Sequence, residues 1–462
     1  MNSRVLLQKA GIDCEIEQEI TRIVRYAQQA DAQSIYVDVY EDSQKFIEQA
    51  LNQGALVVTD KAIKGCIQVQ HPRRVQSELV QILYDFPYRK MQLIGVSGTC
   101  GKSTVVHLLK DCLLNQGIGC CCVMTGKIVM NEEVIPTRNT TPDALFLIPL
   151  MRQCLDQGIF VMMMEVSSEA YVHYRTEGLY FDVLIGTMIA SDHLDTHKTI
   201  ESYHQVKKKI LSLSKPKGVV ILNGDDESLF SWVLQLPGYV LTYGTKQADF
   251  QISDVYIDLS GSSFSFLNRK IQTGLLSMAN VYNLAAVICT AFVLDCDMEK
   301  VFEWANLAKG CPGRFEVIMK EPYVMVDYAH TEKAMAEVLS FLKKVTMKKI
   351  ICVFGCGGNR DSSKRPLMGK TATTYCDTVI VTSDNPRKED PVKIIQEVVS
   401  GCTKEVLVQV DRIKAIELAL TMSTKDDIIV LLGKGDEASL FSDGKMIPKS
   451  DEVIVKRFFE GG

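Results

Sequence analysis

Basic excess and long apolar runs are both missing from this sequence. Its 51 lysines and arginines are outnumbered by 56 aspartates and glutamates, which leaves a formal net charge of −5. A surface that binds nucleic acid or an anionic membrane usually shows an excess of basic residues. The most apolar stretch, 158–164, is far too short to cross a bilayer, and residues 1–20 lack the apolar core of a signal peptide. We therefore expect a cytoplasmic protein that binds neither nucleic acid nor membrane.

The cysteines lack any regular spacing. There are 15 of them, including a run of three at 120–122, and they fit neither a disulfide framework nor a zinc site. Frequent, scattered cysteines are typical of a reducing compartment, in agreement with a cytoplasmic location. Internal repeats are also missing, and the 47% of hydrophobic residues is ordinary for a globular protein.

The length of 462 residues predicts roughly two to four domains. Apolar strand-like segments alternate with helical ones, which predicts parallel βαβ units and an α/β fold. These segments lie at 92–96, 160–164, 183–187, 219–222, 323–327, 349–354, 378–382 and 428–432. A boundary is predicted at 310–313. We therefore predict a small N-terminal α/β domain at 1–88, a central parallel-sheet domain at 89–312 and a C-terminal Rossmann-like α/β domain at 313–462. The glycine-rich segment at 95–104 predicts that the central domain is a P-loop-type ATPase domain.

The sharpest local signal is a glycine-rich segment between a predicted strand and a predicted helix. It reads Gly95-Val96-Ser97-Gly98-Thr99-Cys100-Gly101-Lys102-Ser103-Thr104. Glycines let backbone N–H groups turn towards phosphate oxygens, Lys102 adds positive charge, and Ser103 can ligate Mg²⁺. The usual P-loop has a glycine where this chain has Val96, so the glycines recur at every third residue instead. The alternative is a structural glycine turn before a helix.

This glycine spacing resembles that of the Mur ligase family, whose loop usually carries Asn where this chain has Cys100. Further segments resemble family motifs and follow one another in family order. They are Asn139-Thr140-Thr141-Pro142-Asp143, Glu165-Val166-Ser167-Ser168 with Arg175, Asp192-His193-Leu194-Asp195 with Lys207, Asn280-Val281-Tyr282-Asn283, Gly313-Arg314, Asp327-Tyr328-Ala329-His330, Gly355-Cys356-Gly357-Gly358, Arg360-Asp361, Lys364-Arg365-Pro366, Asp384-Asn385-Pro386-Arg387 and Gly433-Lys434-Gly435. Within the family, the chain is most similar to the branch that adds the third peptide residue to UDP-N-acetylmuramoyl-dipeptide.

The resemblance implies an ATP-dependent amide ligase of peptidoglycan precursor synthesis. Its substrates would be UDP-N-acetylmuramoyl-L-alanyl-D-glutamate and meso-diaminopimelate, or another diamino acid such as L-lysine. The carboxylate must first become an acyl phosphate, and the clustered anions need cations to offset their charge. Catalytic roles are implied for Lys102, Lys207 and His193. The implied nucleotide-binding residues are Gly98, Thr99, Gly101, Lys102, Ser103, Thr104, Asn283, Arg314, Asp327 and His330.

Ser103, Glu165 and His193 are the candidate Mg²⁺ ligands, because Mg²⁺ prefers oxygen ligands and accepts an imidazole. Glu165 follows an apolar strand, where α/β sites lie, although it could simply be a charge at the strand end. His193 and His197 are four residues apart, but no third zinc ligand is evident. Lys207 lies in a run of three lysines that is typical of a solvated basic helix face. The resemblance implies instead that Lys207 is carbamylated and holds metal as an anion.

The resemblance also implies two substrate-binding groups. The acyl substrate would contact Thr140, Thr141, Ser168 and Arg175, and the amino acid would contact Asp384, Asn385, Arg387, Gly433 and Glu437. Arg387 can grip a carboxylate and Glu437 can meet an amino group, which together match the zwitterionic far end of diaminopimelate. The alternatives are a solvent-facing turn arginine for Arg387, a helix-surface amide for Asn283, a hinge ion pair for Arg314 and structural roles for Asp327 and His330.

The N-terminal segment departs from the family. Where the family usually has Asp-Ser-Arg to bind uridine, this chain has Tyr26-Ala27-Gln28, and Glu169, Met188 and Asp436 replace family residues elsewhere. This departure keeps rival interpretations open. They are a Mur-like ligase that acts on a different peptide or secondary-metabolite carboxylate, a non-catalytic nucleotide-binding paralogue, and a phosphotransferase. We expect a monomer whose domains close on ATP, a UDP-sugar dipeptide and an amino acid.

Overall fold

The computed structural model describes residues 1–189, 199–437, 439–442, 445–448 and 450–460. The chain divides into two compact units. Unit 1 comprises Met1–Ser253, Ser265–Arg269 and Tyr282–Ala305, and unit 2 comprises Asp254–Phe264, Lys270–Val281 and Asn306–Gly462. The segment 1–88 therefore lies in unit 1, together with most of the segment that carries the phosphate loop.

The N-terminal part of unit 1 contains a four-stranded parallel sheet. Its strands, in spatial order, are β1 (Arg22–Val24), β2 (Ser34–Val37), β3 (Leu56–Thr59) and β4 (Ile67–Gln68). Its helices are α1 (Ser3–Lys9), α2 (Gln44–Asn52) and α3 (Pro72–Leu83). Every residue of β2 and β3 is buried, which is typical of a parallel sheet that is covered on both faces.

The main sheet of unit 1 carries the phosphate loop on a central strand. Eight of its strands are β5 (Gln92–Ser97), β6 (Cys120–Met124), β7 (Lys127–Met130), β8 (Glu133–Pro136), β9 (Val161–Glu165), β10 (Phe181–Gly186), β11 (Ser214–Asn223) and β12 (Tyr239–Gly244). They are ordered β12-β11-β10-β5-β9-β6-β7-β8, parallel from β12 to β6 and antiparallel beyond. The accompanying helices are α4 (Lys102–Asn115), α5 (Ala144–Asp156), α6 (Ser168–Val172), α7 (Ile200–Leu211) and α8 (Glu227–Trp232).

The register of these strands determines where the functional loops lie. Val96 in β5 pairs with Glu165 in β9, and Ser97 pairs with Gly186 in β10. Because parallel strands end at the same edge of a sheet, the segments that follow β5, β9 and β10 are neighbours. This edge is where ligands bind in open α/β sheets. Beyond β12 the chain continues through β13 (Phe250–Asp258), β14 (Gly261–Phe266), β15 (Arg269–Thr273), α9 (Met278–Val293) and α10 (Met298–Leu307).

Unit 2 is built on a third sheet, which is mostly parallel. Its strands are β16 (Glu316–Lys320), β17 (Tyr323–Asp327), β18 (Ile350–Phe354), β19 (Thr378–Val381), β20 (Leu407–Val408) and β21 (Ile428–Leu432). They are ordered β16-β17-β21-β18-β19-β20, and the β16–β17 pair is antiparallel. The remaining elements are α11 (Glu332–Val345), α12 (Lys364–Tyr375), α13 (Pro391–Val399), α14 (Arg412–Met422), the antiparallel pair β22 (Leu440–Ser442) and β23 (Lys445–Ile447), and α15 (Asp451–Glu460).

Alternate residues of one strand reach two different apolar clusters in unit 2. In β17, Tyr323 and Met325 belong to one cluster, whereas Val324 and Val326 belong to the other. This follows from the two-residue period of a strand and shows that the sheet is covered on both faces. Such strands are continuously apolar, and the two at 323–327 and 428–432 have the bounds predicted from the sequence.

The α/β class predicted from the sequence is confirmed. The strand predicted at 349–354 begins one residue later, and the helix predicted after the phosphate loop spans Lys102–Asn115. Among the described helices, none combines the length and the apolar character that a membrane crossing requires.

A fully buried ion pair joins α14 to α15. Arg412 Nε donates to Asp451 Oδ1 at 2.9 Å, and Arg412 Nη2 also donates to the Leu432 carbonyl at 3.1 Å. We expect Asp451→Asn to lower the free energy of unfolding by about 3 to 5 kcal/mol, because it leaves a buried charge without its counter-charge. Urea denaturation followed by circular dichroism measures this loss.

The matched control lies one residue away on the same helix. Glu452→Gln breaks the exposed pair between Glu452 and Lys456, and exposed pairs contribute little to stability. The control should keep the denaturation midpoint of the unsubstituted protein. Equal losses in the two variants would contradict the argument from burial.

Candidate active site

The phosphate loop is shaped by glycines that pass close to other segments. Gly101 has a left-handed φ of +86°, and a Cβ atom there would lie 2.6 Å from Asn283 Oδ1. A Cβ atom on Gly98 would overlap the hydroxyl of Thr187, which follows β10. The loop therefore lies between the end of β10 and α9, and glycine is required at both positions. Asn283 is buried beside the loop and is not an exposed helix-surface amide.

Lys102 begins α4 and its ammonium group lies within the loop. Its Nζ donates to the carbonyl oxygens of Gly98 at 2.8 Å and Thr99 at 2.9 Å. Thr104 follows in the first turn and is largely buried. The helix N-terminus and the ammonium group together make this end of β5 electropositive, as an anion site requires.

Glu165 is buried at the end of β9, with only 1% of its surface exposed. Its Oε1 accepts hydrogen bonds from the hydroxyl of Ser103 and the backbone N–H of Thr125, both at 2.8 Å. Its Oε2 accepts a hydrogen bond from the Thr125 hydroxyl at 3.2 Å. These bonds offset the cost of burying a carboxylate and fix its orientation beside Ser103. The two adjacent oxygens are of the type that Mg²⁺ prefers.

Lys207 lies in α7 and is only 2% exposed. Its Nζ donates to the Gly98 carbonyl at 3.0 Å and to Ser97 Oγ at 3.3 Å, and it lies 5.4 Å from the centre of the Tyr203 ring. The hydroxyl of Tyr203 is hydrogen-bonded to Thr99 at 2.9 Å. The interpretation of Lys207 as part of a solvated helix face is therefore wrong, although the neighbouring Lys209 is exposed.

Some of the predicted metal ligands fall outside the described residues. His193 lies there, as does His197, the other member of the candidate zinc pair. The described part of unit 1 brings together Ser103, Glu165 and Lys207 around the phosphate loop, while the role of His193 stays a prediction.

The residues predicted to hold the acyl substrate gather around Glu165. Thr141 donates its hydroxyl to the Glu165 carbonyl at 2.8 Å and accepts from the Ser167 N–H at 3.1 Å. Arg175 donates to the Thr141 carbonyl at 3.2 Å. Thr140 accepts from the Thr125 hydroxyl at 3.2 Å, so it is linked to Glu165 through Thr125. Ser168 is buried at the start of α6.

Two further arginines lie near Arg175, and the sequence did not single them out. Burial lowers the pKa of Arg175, and the charges of Arg73 and Arg25 lower it further, against the opposing effect of Glu169 and Asp143. Burial also lowers the pKa of His173, with added contributions from Arg175 and Arg73. Arg25 forms an ion pair with Asp143 across 118 positions of sequence. The signal that could have identified Arg25 is its place directly after β1, at the carboxyl end of a parallel strand.

In unit 2, three predicted nucleotide-binding residues lie around the end of β17. Asp327 accepts from the backbone N–H groups of Ala329 at 2.7 Å and Phe315 at 2.8 Å. Burial raises the pKa of the Asp327 carboxyl group, although the nearby Arg314 opposes the shift. The Arg314 guanidinium lies 4.2 Å from the centre of the Tyr328 ring, and His330 Nδ1 is 3.1 Å from the Tyr328 carbonyl.

The predicted amino-acid-binding residues follow β19 and β21. Lys434, which is buried, donates to Asp384 Oδ1 at 3.2 Å and to Glu437 Oε2 at 3.0 Å. Gly433 has a φ of +105°, and a Cβ atom there would lie 3.1 Å from Asp384 Oδ2. Sequence reasoning named the two carboxylates but missed the lysine that joins them. The Gly433-Lys434-Gly435 segment, which resembles a family motif, could have identified this lysine as a site residue.

Arg387 and Asn385 complete this group. The Asn385 side chain accepts from the Arg387 N–H at 3.3 Å, and Arg387 is exposed with a left-handed φ of +53°. Arg387 follows Asp384 by three residues in the same loop, so this part of unit 2 carries an exposed guanidinium group as well as two carboxylates that are held by a buried lysine. Such groups can bind charges of both signs.

Two family models match the chain. The Mur ligase middle domain matches residues 96–291, and the Mur ligase, glutamate ligase domain matches residues 313–435. Together the matches contain the phosphate loop, Glu165, Lys207 and the loops after β17, β19 and β21.

Curated proteins resemble the chain over most of its length. One from Caldanaerobacter subterraneus subsp. tengcongensis is 35% identical over 90% of this chain and 89% of the relative. One from Clostridioides difficile is 36% identical over 86% of this chain and 85% of the relative. Both are named UDP-N-acetylmuramoyl-L-alanyl-D-glutamate--2,6-diaminopimelate ligase.

Solved structures show the same similarity. One described as a UDP-N-acetylmuramoyl-L-alanyl-D-glutamate--2,6-diaminopimelate ligase covers 100% of this chain and 99% of that chain, with a TM-score of 0.71 and 27% identity. A MurF ligase from Thermotoga maritima, solved with ADP, covers 95% of this chain and 96% of that chain, with a TM-score of 0.59 and 18% identity. The second likeness concerns the fold alone.

The close approach of Gly101 to Asn283 yields a test of the phosphate loop. We expect Gly101→Ala to weaken ATP binding by at least about tenfold, because the added methyl group would displace Asn283 or the loop. Isothermal titration calorimetry measures the affinity.

The control sits at the other end of the same helix. Gly117 also has a left-handed φ, +76°, but a Cβ atom there meets nothing within 4 Å. Gly117→Ala should carry a similar backbone cost and leave ATP affinity unchanged. If both variants bind ATP like the unsubstituted protein, the loop does not bind ATP in this conformation.

Proposed function

Because the chain belongs to the Mur ligase family of ATP-dependent, amide-forming enzymes, we propose that it adds meso-diaminopimelate to UDP-N-acetylmuramoyl-L-alanyl-D-glutamate in peptidoglycan precursor synthesis. The observation that carries the proposal is the convergence of Ser103, Glu165 and Lys207 on the phosphate loop. The names of relatives that are 35% and 36% identical support the choice of substrates.

Each part of the chain has a role in this proposal. Residues 1–88 bind the acyl substrate, 89–312 bind ATP, and 313–462 bind the amino acid. A monomer suffices, because one chain supplies all the proposed groups. The proposed function implies a cytoplasmic location, because ATP and sugar nucleotides are cytoplasmic substrates.

The first proposed step activates the D-glutamate carboxylate of the acyl substrate. A carboxylate oxygen attacks the γ-phosphorus of ATP, the bond from phosphorus to the β–γ bridging oxygen breaks, and ADP leaves. Lys102 would exchange its two loop carbonyls for phosphate oxygens, whose charge it offsets. The N-terminus of α4 stabilises the same anionic groups.

Ser103 and Glu165 fit Mg²⁺, because a hydroxyl and a carboxylate oxygen lie 2.8 Å apart beside the phosphate loop. When bound there, Mg²⁺ would neutralise charge on the phosphates. Thr125 holds both oxygens of Glu165, so one ligand is fixed in place before the cation arrives. His193 is proposed as a further ligand on the family resemblance alone.

Carbamylation of Lys207 is the second proposal for the metal group. Its Nζ is buried against Gly98 and Ser97, within the loop that would hold the phosphates. A carbamate forms when a neutral amine attacks CO₂ and releases one proton. The product is an anion that can ligate a metal, so the change converts a buried cation into a ligand at this position.

The second proposed step forms the amide. The neutral α-amino group of diaminopimelate attacks the acyl carbonyl carbon, and the nitrogen loses one proton to solvent. The tetrahedral intermediate then collapses, and phosphate leaves with the electrons of the broken C–O bond. Asp384 and Glu437 would meet the amino group at the far end of the substrate, and Arg387 would meet its carboxylate. Lys434 holds the two acidic side chains in fixed positions.

The acyl substrate is anionic, and the arginines near Arg175 suit it. Arg25 lies beside the exposed Tyr26, with its guanidinium 5.0 Å from the ring centre. Arg73 donates to the Val39 carbonyl at 3.3 Å. These groups come from the segment that lacks the family's Asp-Ser-Arg, and they offer charge and an aromatic face in its place.

The decisive experiment measures phosphate release from ATP with Mg²⁺ and UDP-N-acetylmuramoyl-L-alanyl-D-glutamate. Diaminopimelate, L-lysine or no amine is added, and the product is weighed by mass spectrometry. We expect release that depends on diaminopimelate and yields a tripeptide. A Lys102→Ala variant, which lacks the loop cation, is the control for contaminating phosphatase.

The Tyr26-Ala27-Gln28 departure favours a second candidate, a Mur-like ligase that acts on another carboxylate. In that case ATP binds with ordinary affinity, but no amine elicits phosphate release with the UDP-sugar dipeptide. That result would overturn the first proposal, and other peptide carboxylates would be the substrates to test.

Bicarbonate dependence tests the proposed carbamate. We expect enzyme that has been depleted of CO₂ to lose at least about tenfold in kcat, because a metal ligand is missing, and to recover when bicarbonate is added. Lys207→Arg should show little activity under either condition. Lys209→Arg, a change at the exposed neighbour, should behave like the unsubstituted protein. Full activity of the depleted enzyme would exclude the carbamate.

A further inference from the structure

The loop that carries Arg387 is held by a second arginine for which the proposed reaction has no use. This Arg387 loop comprises residues 384–389 and follows β19. Arg365, in the first turn of α12, is only 1% exposed. Its Nη1 donates to Glu389 Oε2 at 2.9 Å and its Nη2 donates to Glu389 Oε1 at 3.2 Å. Such a bidentate ion pair fixes the orientation of both side chains.

Arg365 also contacts two segments outside the loop. Its Nη1 donates to Glu397 Oε2 in α13 at 2.7 Å, and its Nη2 donates to the Gly357 carbonyl at 3.2 Å. One buried guanidinium group therefore joins the segment after β18, the Arg387 loop and α13. Because two carboxylates face it, its charge is more than offset, and the buried position is tolerated.

The segment after β18 holds the Arg387 loop on both sides of Arg387. The Gly358 N–H donates to the Asn385 carbonyl at 2.8 Å. The Asn359 side chain accepts from the Lys388 N–H at 3.1 Å, and the Asn359 N–H donates to Glu389. A Cβ atom on Gly358 would overlap the Pro386 carbonyl, so the two segments pass in direct contact.

The backbone conformation of Arg387 is one that surrounding contacts must hold in place. Its φ of +53° lies in the left-handed region, which side chains other than glycine adopt only at a cost. Such a conformation persists where surrounding contacts determine it, and it decides where the side chain points. Two charged side chains anchor the loop, Asp384 through Lys434 and Glu389 through Arg365, and Glu389 is the nearer in sequence to Arg387.

We infer that Arg365 is a positioning residue that acts through Glu389 to aim Arg387 at the far carboxylate of the amino-acid substrate. Arg365 itself is buried and does not touch the substrate. The inference rests on the proposed function for the identity of that substrate. It adds a determinant of specificity, because L-lysine lacks the far carboxylate and gains nothing from a correctly aimed Arg387.

The two carboxylate partners of Arg365 form a matched pair for the test. The side chains of Glu389 and Glu397 are 29% and 33% exposed, and both accept from Arg365 Nη1. Glu389 also accepts from Arg365 Nη2 and from the Asn359 N–H, which are the bonds that hold the loop. Only Glu389 belongs to the Arg387 loop. We expect Glu389→Ala to raise the KM for diaminopimelate by about tenfold to a hundredfold, with the KM values for ATP and the acyl substrate unchanged. Glu397→Ala should change the KM for diaminopimelate less than about threefold.

Two further measurements separate positioning from general destabilisation. The preference for diaminopimelate over L-lysine should fall in Glu389→Ala, and adding this change to Arg387→Ala should have no further effect on diaminopimelate kcat/KM. Arg365→Lys, which keeps the charge but loses the fork, should behave like Glu389→Ala in weaker form. Equal effects of Glu389→Ala and Glu397→Ala, or additive effects with Arg387→Ala, would overturn the inference.

The clamp formed by Arg365 and Glu389 on the Arg387 loop can be tested by hydrogen exchange, without any substrate. The backbone amides of residues 385 and 387–389 should exchange faster in Glu389→Ala than in Glu397→Ala or the unsubstituted protein. Unchanged exchange would overturn the inference whatever the amine substrate is. If the unsubstituted protein does not use diaminopimelate but the loop amides do exchange faster, the proposed substrate fails and the clamp stands as the determinant for another amine.

Discussion

The parallel pairing of β5 with β9 on one side and β10 on the other is the constraint on which the candidate site depends. It puts Val96 opposite Glu165 and Ser97 opposite Gly186, so the phosphate loop emerges between two strand ends. The hydrogen bond from Ser103 to Glu165 is a consequence of that register. A slip of one residue in β9 would turn the Glu165 side chain to the other face of the sheet and leave the loop without its carboxylate. The buried apolar residues of β9 thus fix the position of one charged group.

Several charged side chains are buried in spite of the free-energy cost of removing a charge from water, and their positions point to function. Glu165, Lys207, Arg365 and Lys434 are each almost fully enclosed, and each has polar partners within its own unit. Replacing such groups by apolar residues is often neutral or stabilising, so their burial is weak support for the idea that they stabilise the fold. All four lie at or near the carboxyl ends of parallel strands, where stability alone offers no reason to place them. The Arg412–Asp451 pair joins two helices, and Arg412 also donates to the Leu432 carbonyl at the end of β21.

Sequence reasoning succeeded where a pattern is local and continuous. The strand at 428–432 is an unbroken apolar run, and the strand at 323–327 is apolar up to Asp327. The glycines at 98 and 101 are required by contacts with the end of β10 and with α9. The residue pattern alone favoured the wrong interpretation at Lys207, because three successive lysines suggest a solvated face, and only the family resemblance pointed to the site. A helical period was nevertheless present, since Tyr203, Lys207 and Ile210 lie on one side of α7 and all three are buried. The apolar residues four positions before and three positions after Lys207 could have indicated that this lysine is buried, although the adjacent lysines suggest exposure.

Contacts between distant segments could not be predicted from the sequence. Arg25 and Asp143 meet across 118 positions, and the partners of Arg365 lie 24 and 32 positions away, so no short motif contains either group. The same reasoning bears on the N-terminal departure. Phosphoryl transfer needs charges at fixed positions around one phosphorus atom, and the residues suited to it match the family motifs. A large anionic substrate can be held by many separate contacts, so the loss of one motif can be offset by arginines from other elements. For this reason Tyr26-Ala27-Gln28 is compatible with the same acyl substrate, provided that Arg25 and Arg73 bind it.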